Sequence, residues 1–201
     1  MPERGVRDNL IYSTDAPRIQ IQVADTFRYV GNLNFILKGV AWVDIYYFAE
    51  ADAAVENAAG AHLRRTFHVQ FEGYLPDNTH SYRYSSTELV RLGDHDYQFD
   101  AAFWSPTVHV PANPNSDFAA GHRLLQAQGY DADGMRDTMR ERYVRVLDDA
   151  CRNEILLIYN ENLAPYGVTA DDLEGEAADQ WERLRAEMHK RARSAFRVTE
   201  G

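Results

Sequence analysis

Ten consecutive residues, Val40 to Ala49 (VAWVDIYYFA), are apolar or aromatic at both parities, broken only by Asp44. A strand sends alternate side chains to opposite faces, so a run of this kind needs cover on both. It is expected to lie at the centre of a sheet with material packed on each side. A second stretch, Arg64 to Leu75 (RRTFHVQFEGYL), alternates cleanly, with Phe67, Val69 and Phe71 pointing one way and His68, Gln70, Glu72 and Tyr74 the other. This predicts a half-buried strand whose polar row carries an imidazole and a carboxylate.

The remaining elements are read around these two. Residues 1–17 form an irregular lead-in; Ile19, Ile21 and Val23 alternate with Gln20 and Gln22 as a short strand, and Phe27 to Lys38 predicts another that Gly39 ends. A two-residue Lys38-Gly39 turn puts Asp44 on the apolar face of its strand, whereas a three-residue turn moves it beside Asn32 or Asn34. Glu50 to His62 is Ala-rich and polar, a long connection or a short helical turn. Pro76-Asp77-Asn78-Thr79 is a turn signal, and a four-residue loop there pairs residues 80–87 with the Arg64 strand, matching Glu72 with Arg83. His95 to Trp104 supplies a further strand.

Residues 105–116 hold three prolines and separate a strand-rich segment, 18–104, from a helix-rich one, 117–197. Ser116 is read as the N-cap of a helix from Asp117 to Gln128. Met135, Met139, Tyr143, Val146, Leu147 and Ala150 recur at helical spacing and predict a helix that runs on to Ala164, where Pro165 stops it. A last helix is expected from Glu174 to about Phe196.

At 201 residues the chain suits a single domain spanning 1–201. The formal net charge of −10 is spread over both halves and argues against a phosphate-backbone binder, so no nucleic-acid partner is expected. The single cysteine, Cys151, excludes an internal disulfide framework and a multi-cysteine zinc site; it is read as a buried thiol on a helix. No run approaches the ~18 apolar residues that span a bilayer, and the N-terminal residues have no apolar leader core. A cytoplasmic protein without a membrane partner is the expectation.

Candidate chemistry lies on the polar row. His68 and Glu72 are separated by roughly 13 Å at their bases, so they form a site only with cross-strand neighbours. His68 is the candidate base near neutral pH, and Glu72 is expected to be held ionised by Arg83. Asp44, between aromatic Trp42 and Tyr46, is the second carboxylate, since desolvation would raise its pKa. Arg28 joins through the polar row it shares with Asn32 and Asn34, and Trp42, Tyr46 and Tyr84 are expected as pocket walls. The plain alternative is that the row is the wet side of an antiparallel sheet and that Asp44 merely accepts hydrogen bonds. The seven histidines are dispersed, with His68 and His109 the first suspects for a metal or haem.

These readings combine into an α+β fold: a curved antiparallel sheet or partly closed β-barrel in the first half, followed by a helical second half. By element order alone the outline is lipocalin-like. The functional expectation is a small-molecule-binding protein, with acid–base catalysis in a sheet-lined cavity by Asp44, His68 and Glu72 as its enzymatic form and Arg28, Trp42, Tyr46, Arg83 and Tyr84 contacting the ligand. The cofactor is undetermined. The rivals are a self-associating or protein-interaction domain and a haem- or metal-binding protein.

Overall fold

A computed structural model describes residues 3–52 and 60–199. The chain runs β1 (Arg4–Arg7), β2 (Leu10–Ser13), β3 (Ile19–Val23), β4 (Arg28–Leu37), β5 (Ala41–Ala51), β6 (Ala61–Tyr74), β7 (Leu89–Leu92), β8 (His95–Trp104), α1 (Pro106–Ala112), α2 (Asp117–Ala127), β9 (Tyr130–Asp131), β10 (Thr138–Val146), β11 (Asn153–Asn162), α3 (Ala170–Glu174), α4 (Trp181–Ala195) and β12 (Phe196–Thr199). The main sheet has the order β4-β5-β6-β11-β10-β8-β7, with β9 paired to β6 alone; a smaller sheet has the order β1-β2-β3-β12.

The doubly apolar run forms β5, and both its faces are covered. On the inner face Tyr46 and Phe48 pack with Phe67, Val69 and Phe71 of β6, Ile11, Ile19 and Ile21 of the small sheet, and Leu184 and Met188 of α4. On the outer face Val43, Ile45 and Tyr47 meet Leu124 of α2. Fully burying a Leu, Ile or Phe contributes roughly 1.5–3 kcal/mol, and this strand has such residues on both sides. That is why it sits inside the sheet rather than at its edge.

The sheet does not close. Strands β4 and β7 are its two ends, so the expected barrel and its lipocalin-like outline give way to an open sheet between two covering layers. The reason is that each face finds a partner of its own: the small sheet with α4 on one side, α2 on the other. The expected lead-in is the β1–β2 hairpin, and β2 pairs with β3. Residues 80–87 form no strand, because both edges of β6 are already taken by β5 and β11. Glu72 therefore does not face Arg83 across a ladder.

The second half is not helical throughout. Residues 138–162 form the β10–β11 hairpin, with Cys151 half-buried in its turn at a positive φ of 55°. Residues 135, 139, 143 and 147 recur every four positions, and a spacing of four is also a multiple of two, so the pattern fits a strand face as well as a helix. In the Pro-rich connector, residues 106–112 form α1, with Pro106 in its first turn where no N–H is needed. Ser116 does cap α2, accepting from the Ala119 N–H at 3.1 Å. The expected final helix starts later, as α4 at Trp181, after the short α3 that ends at Glu174, and the chain ends as β12 in the small sheet. Most of the Glu50–His62 connection, residues 53–59, lies outside the described residues.

Candidate functional site

The β4–β5 turn leaves three residues, Lys38 to Val40, between the partners Leu37 and Ala41, and sets Asp44 opposite Asn34. Asp44 shares the inner face with Trp42, Tyr46 and Phe71. Its Oδ2 accepts from the Tyr46 hydroxyl at 3.1 Å and lies 3.8 Å from the Arg4 guanidinium, which stacks over Trp42 and Phe71. Burial raises its pKa, and Tyr46 and Arg4 partly offset that. This group sits between the two sheets.

His68, Gln70 and Glu72 face the other way, onto the outer face. Cross-strand partners extend the row: Glu154 stands beside Glu72, Ile158 beside His68, Asn160 beside Thr66, and Arg140 and Arg142 beside Asn160 and Ile158. Asp100 and Ala102 of β8 continue the rungs past Arg142 and Arg140. Both guanidiniums bond the same carboxylate, Arg140 to Asp100 Oδ1 at 3.1 Å and Arg142 to Asp100 Oδ2 at 2.6 Å. Between this floor and the helices runs a groove of about 360 Å³, lined by His68, Ala102, Trp104, His109, Asp117, Phe118, Arg140, Arg142, Leu156, Ile158 and Asn160. Past His68, Phe118 and Asn160 a chamber of about 30 Å³, also lined by Tyr47 and Leu125, lies under α2. That is room for a single water.

Aromatic rings wall the groove. Trp104 meets Phe118 at 4.3 Å and His109 at 5.0 Å between centroids, both edge-on. His68 stacks on Tyr47 at 4.6 Å. Burial depresses the His68 pKa to about 4, so its imidazole is neutral at physiological pH and serves as a hydrogen-bonding group rather than a cation.

At the other end, residues 75–88 cross the outer face as a strap. Tyr82 donates to Glu72 Oε1 at 2.9 Å and Tyr84 donates to Glu154 Oε2, while Gln70 donates to Glu72 Oε2 at 2.6 Å. Glu72 and Glu154 thus make a buried carboxyl pair. Burial raises both pKa values, and with Glu72 alongside, that of Glu154 reaches about 8. Arg142, which lines the groove, also lies over the Tyr84 ring at 5.3 Å and so joins the pair to the groove.

Polar atoms without a partner concentrate here. Among the described residues, the buried His68 Nδ1, Gln70 Oε1, Trp104 Nε1, Thr138 Oγ1, Arg140 Nε and Asn160 Oδ1 have no hydrogen-bond partner within the protein. All belong to outer-face positions of the main sheet.

The expected site residues therefore fall into two groups on opposite faces. Asp44, Trp42 and Tyr46 gather with Arg4; His68, Glu72 and Tyr84 gather around the groove and the carboxyl pair. Arg28, on edge strand β4, and Arg83, in the strap, are exposed and join neither. The groove also holds Arg140, Arg142 and Asn160, and the carboxyl pair holds Glu154, all of which sequence reasoning missed. The signal for the two arginines was the alternation of Thr138, Arg140, Arg142 and Val144 against Met139, Glu141 and Tyr143. His109 and His68 both line the groove, and among the described residues no three His, Cys, Asp or Glu side chains stand close enough together to hold a metal ion. No helix among them is long and apolar enough to cross a membrane. Compared with protein-family models, curated proteins and solved structures, the chain has no match.

Proposed function

We propose that the protein binds a small molecule in the groove between the outer face of its main sheet and helices α1 and α2. The observation that carries this reading is the pair Asn160 and His68, 3% and 4% exposed, each a groove-lining residue that carries a buried hydrogen-bonding atom the protein leaves unpaired. An unpaired buried polar atom costs about 1–3 kcal/mol, and such atoms are retained where they serve a ligand. Aromatic walls and a few convergent polar groups are the composition of a small-molecule site.

The test is a fragment screen read by amide chemical shifts. Bound fragments are expected to shift Ala102, Trp104, Arg140 and Asn160, and Ala102→Leu, which fills the groove floor without touching a polar group, is expected to abolish those shifts. Hits that map only elsewhere, or shifts unchanged by the filled floor, would overturn the assignment.

Acid–base catalysis is a second reading, favoured by one observation: a Glu154 carboxyl that titrates at about 8 beside a second carboxyl. Such a group holds its proton at neutral pH and can release it to a substrate that reaches it. Turnover carried this way would be lost in Glu154→Gln with binding at the groove retained, and turnover surviving that change would remove Glu154 from the chemistry.

A further inference from the structure

We infer that the groove selects an uncharged, flat ligand presenting an amide-type edge, a carbonyl oxygen next to an N–H. The inference deepens the proposed function and rests on the groove being a ligand site. Three observations carry it.

The first is the chemistry of the unpaired atoms. Arg140 Nε and Trp104 Nε1 are donors, whereas Asn160 Oδ1 is an acceptor. Arg140 and Asn160 are direct cross-strand partners, and neighbouring strands lie roughly 4.8 Å apart. A residue with an unpaired donor and one with an unpaired acceptor therefore occupy neighbouring positions on the groove floor. One ligand edge with a carbonyl and an adjacent N–H satisfies both. A carboxylate, which only accepts, would leave Asn160 Oδ1 unpaired, and an ammonium, which only donates, would leave Arg140 Nε unpaired.

The second is charge. Arg140 and Arg142 share Asp100, and Asp117 at the start of α2 also lines the groove. Two cations are matched by two carboxylates, and His68 adds no charge because it stays neutral. A charged ligand entering this groove would lose its hydration without finding an unmatched counter-ion. The third is shape. Trp104, Phe118 and His109 form one aromatic wall, with small Ala102 on the floor beside it, which suits a flat ring stacked edge-on or offset.

The experiment compares three probes with one ring system and different head groups: 2-naphthamide, 2-naphthoate and 2-naphthylmethylammonium. Each is titrated into the intact protein at pH 7 and followed through the Trp104 indole N–H and the Asn160 side-chain amide by NMR. The amide is expected to bind about tenfold or more tighter than either charged probe, since each of those leaves one groove atom unpaired. In Asn160→Leu, of similar volume, its advantage over the carboxylate is expected to shrink to within about threefold while that over the ammonium stays; Trp104→Phe, which keeps a ring and removes one donor, is expected to narrow the advantage over the ammonium and serves if the first variant does not fold. Tighter binding of the carboxylate or the ammonium, or equal binding of all three with groove shifts, overturns the inference and leaves the proposed function standing. If none of the three shifts groove resonances, both fall.

Discussion

Tyr47 shows how one side chain ties a helix to the groove. Its ring stacks on His68, and its hydroxyl reaches under α2 at Gly121, where an added Cβ would overlap the Tyr47 Oη and Cζ atoms. Replacing a helix-interior glycine by alanine ordinarily stabilises by about 1 kcal/mol. Here the sign reverses. Gly121→Ala is expected to destabilise by about 1–3 kcal/mol, measured by urea unfolding, and Tyr47→Ala in the same chain should remove most of the difference between Gly and Ala at position 121. A stabilising Gly121→Ala would mean that α2 does not seat on Tyr47. The same clash would push the His68 ring toward the groove, so ligand affinity should fall with stability.

Among the elements, the strap over residues 75–88 is fastened by one side chain more than by any ladder. Arg152 donates to the carbonyls of Leu75 at 2.6 Å, Asn78 at 2.8 Å and His80 at 3.0 Å. The strap in turn lays Tyr82 and Tyr84 over the two carboxyls. Arg152→Ala should therefore speed amide exchange across 75–88 and bring the Glu154 pKa down toward the ordinary carboxyl range as water reaches it. Carboxyl-carbon NMR titration reads the second effect, and an unchanged Glu154 would show that the strap stays closed without Arg152. Neither the strap nor the carboxyl pair was legible in the sequence. A hairpin after Leu75 looks natural from the turn residues, but whether residues 80–87 can pair depends on which strand already holds that edge of β6, and this is long-range information. What was legible rested on short-range signals: the two-sided apolar run of β5, the alternation of β6, and the Ser116 cap of α2. The β10–β11 hairpin was lost because its apolar residues repeat at four, which satisfies both periods, and with it went Arg140, Glu154 and Asn160. His68 and Glu72 were found because their strand alternates at two without ambiguity.

The molecule as a whole carries two opposed titrations on one face, and they shape its stability against pH. His68 has a folded pKa depressed to about 4 from 6.5. Between those values the unfolded chain binds the proton and the folded protein does not, so stability is lost as pH falls from about 6.5 to about 4. Glu154 is raised from 4.5 to about 8. Its contribution is fully present below pH 4.5 and is lost as pH rises toward about 8, because the unfolded chain is ionised while the folded protein still holds the proton. Each group changes stability by up to about 1.4 kcal/mol per pH unit inside its window. From 4.5 to 6.5 the slopes of His68 and Glu154 cancel, and above 6.5 the loss from Glu154 is no longer opposed; Glu72, Glu141 and Asp44, which burial also raises, add their own loss upward from the ordinary carboxyl pKa. The expected profile is a shallow fall near pH 4.5–6.5 with a steeper decline on the alkaline side. Glu154→Gln should lift the alkaline side most, while His68→Gln should turn the shallow fall into a steep one from pH 4.5 upward. Urea midpoints collected from pH 4 to 9 for the three proteins test this directly. If Glu154→Gln leaves the alkaline decline unchanged, the carboxyl is ionised in the folded protein and the strap does not keep it dry.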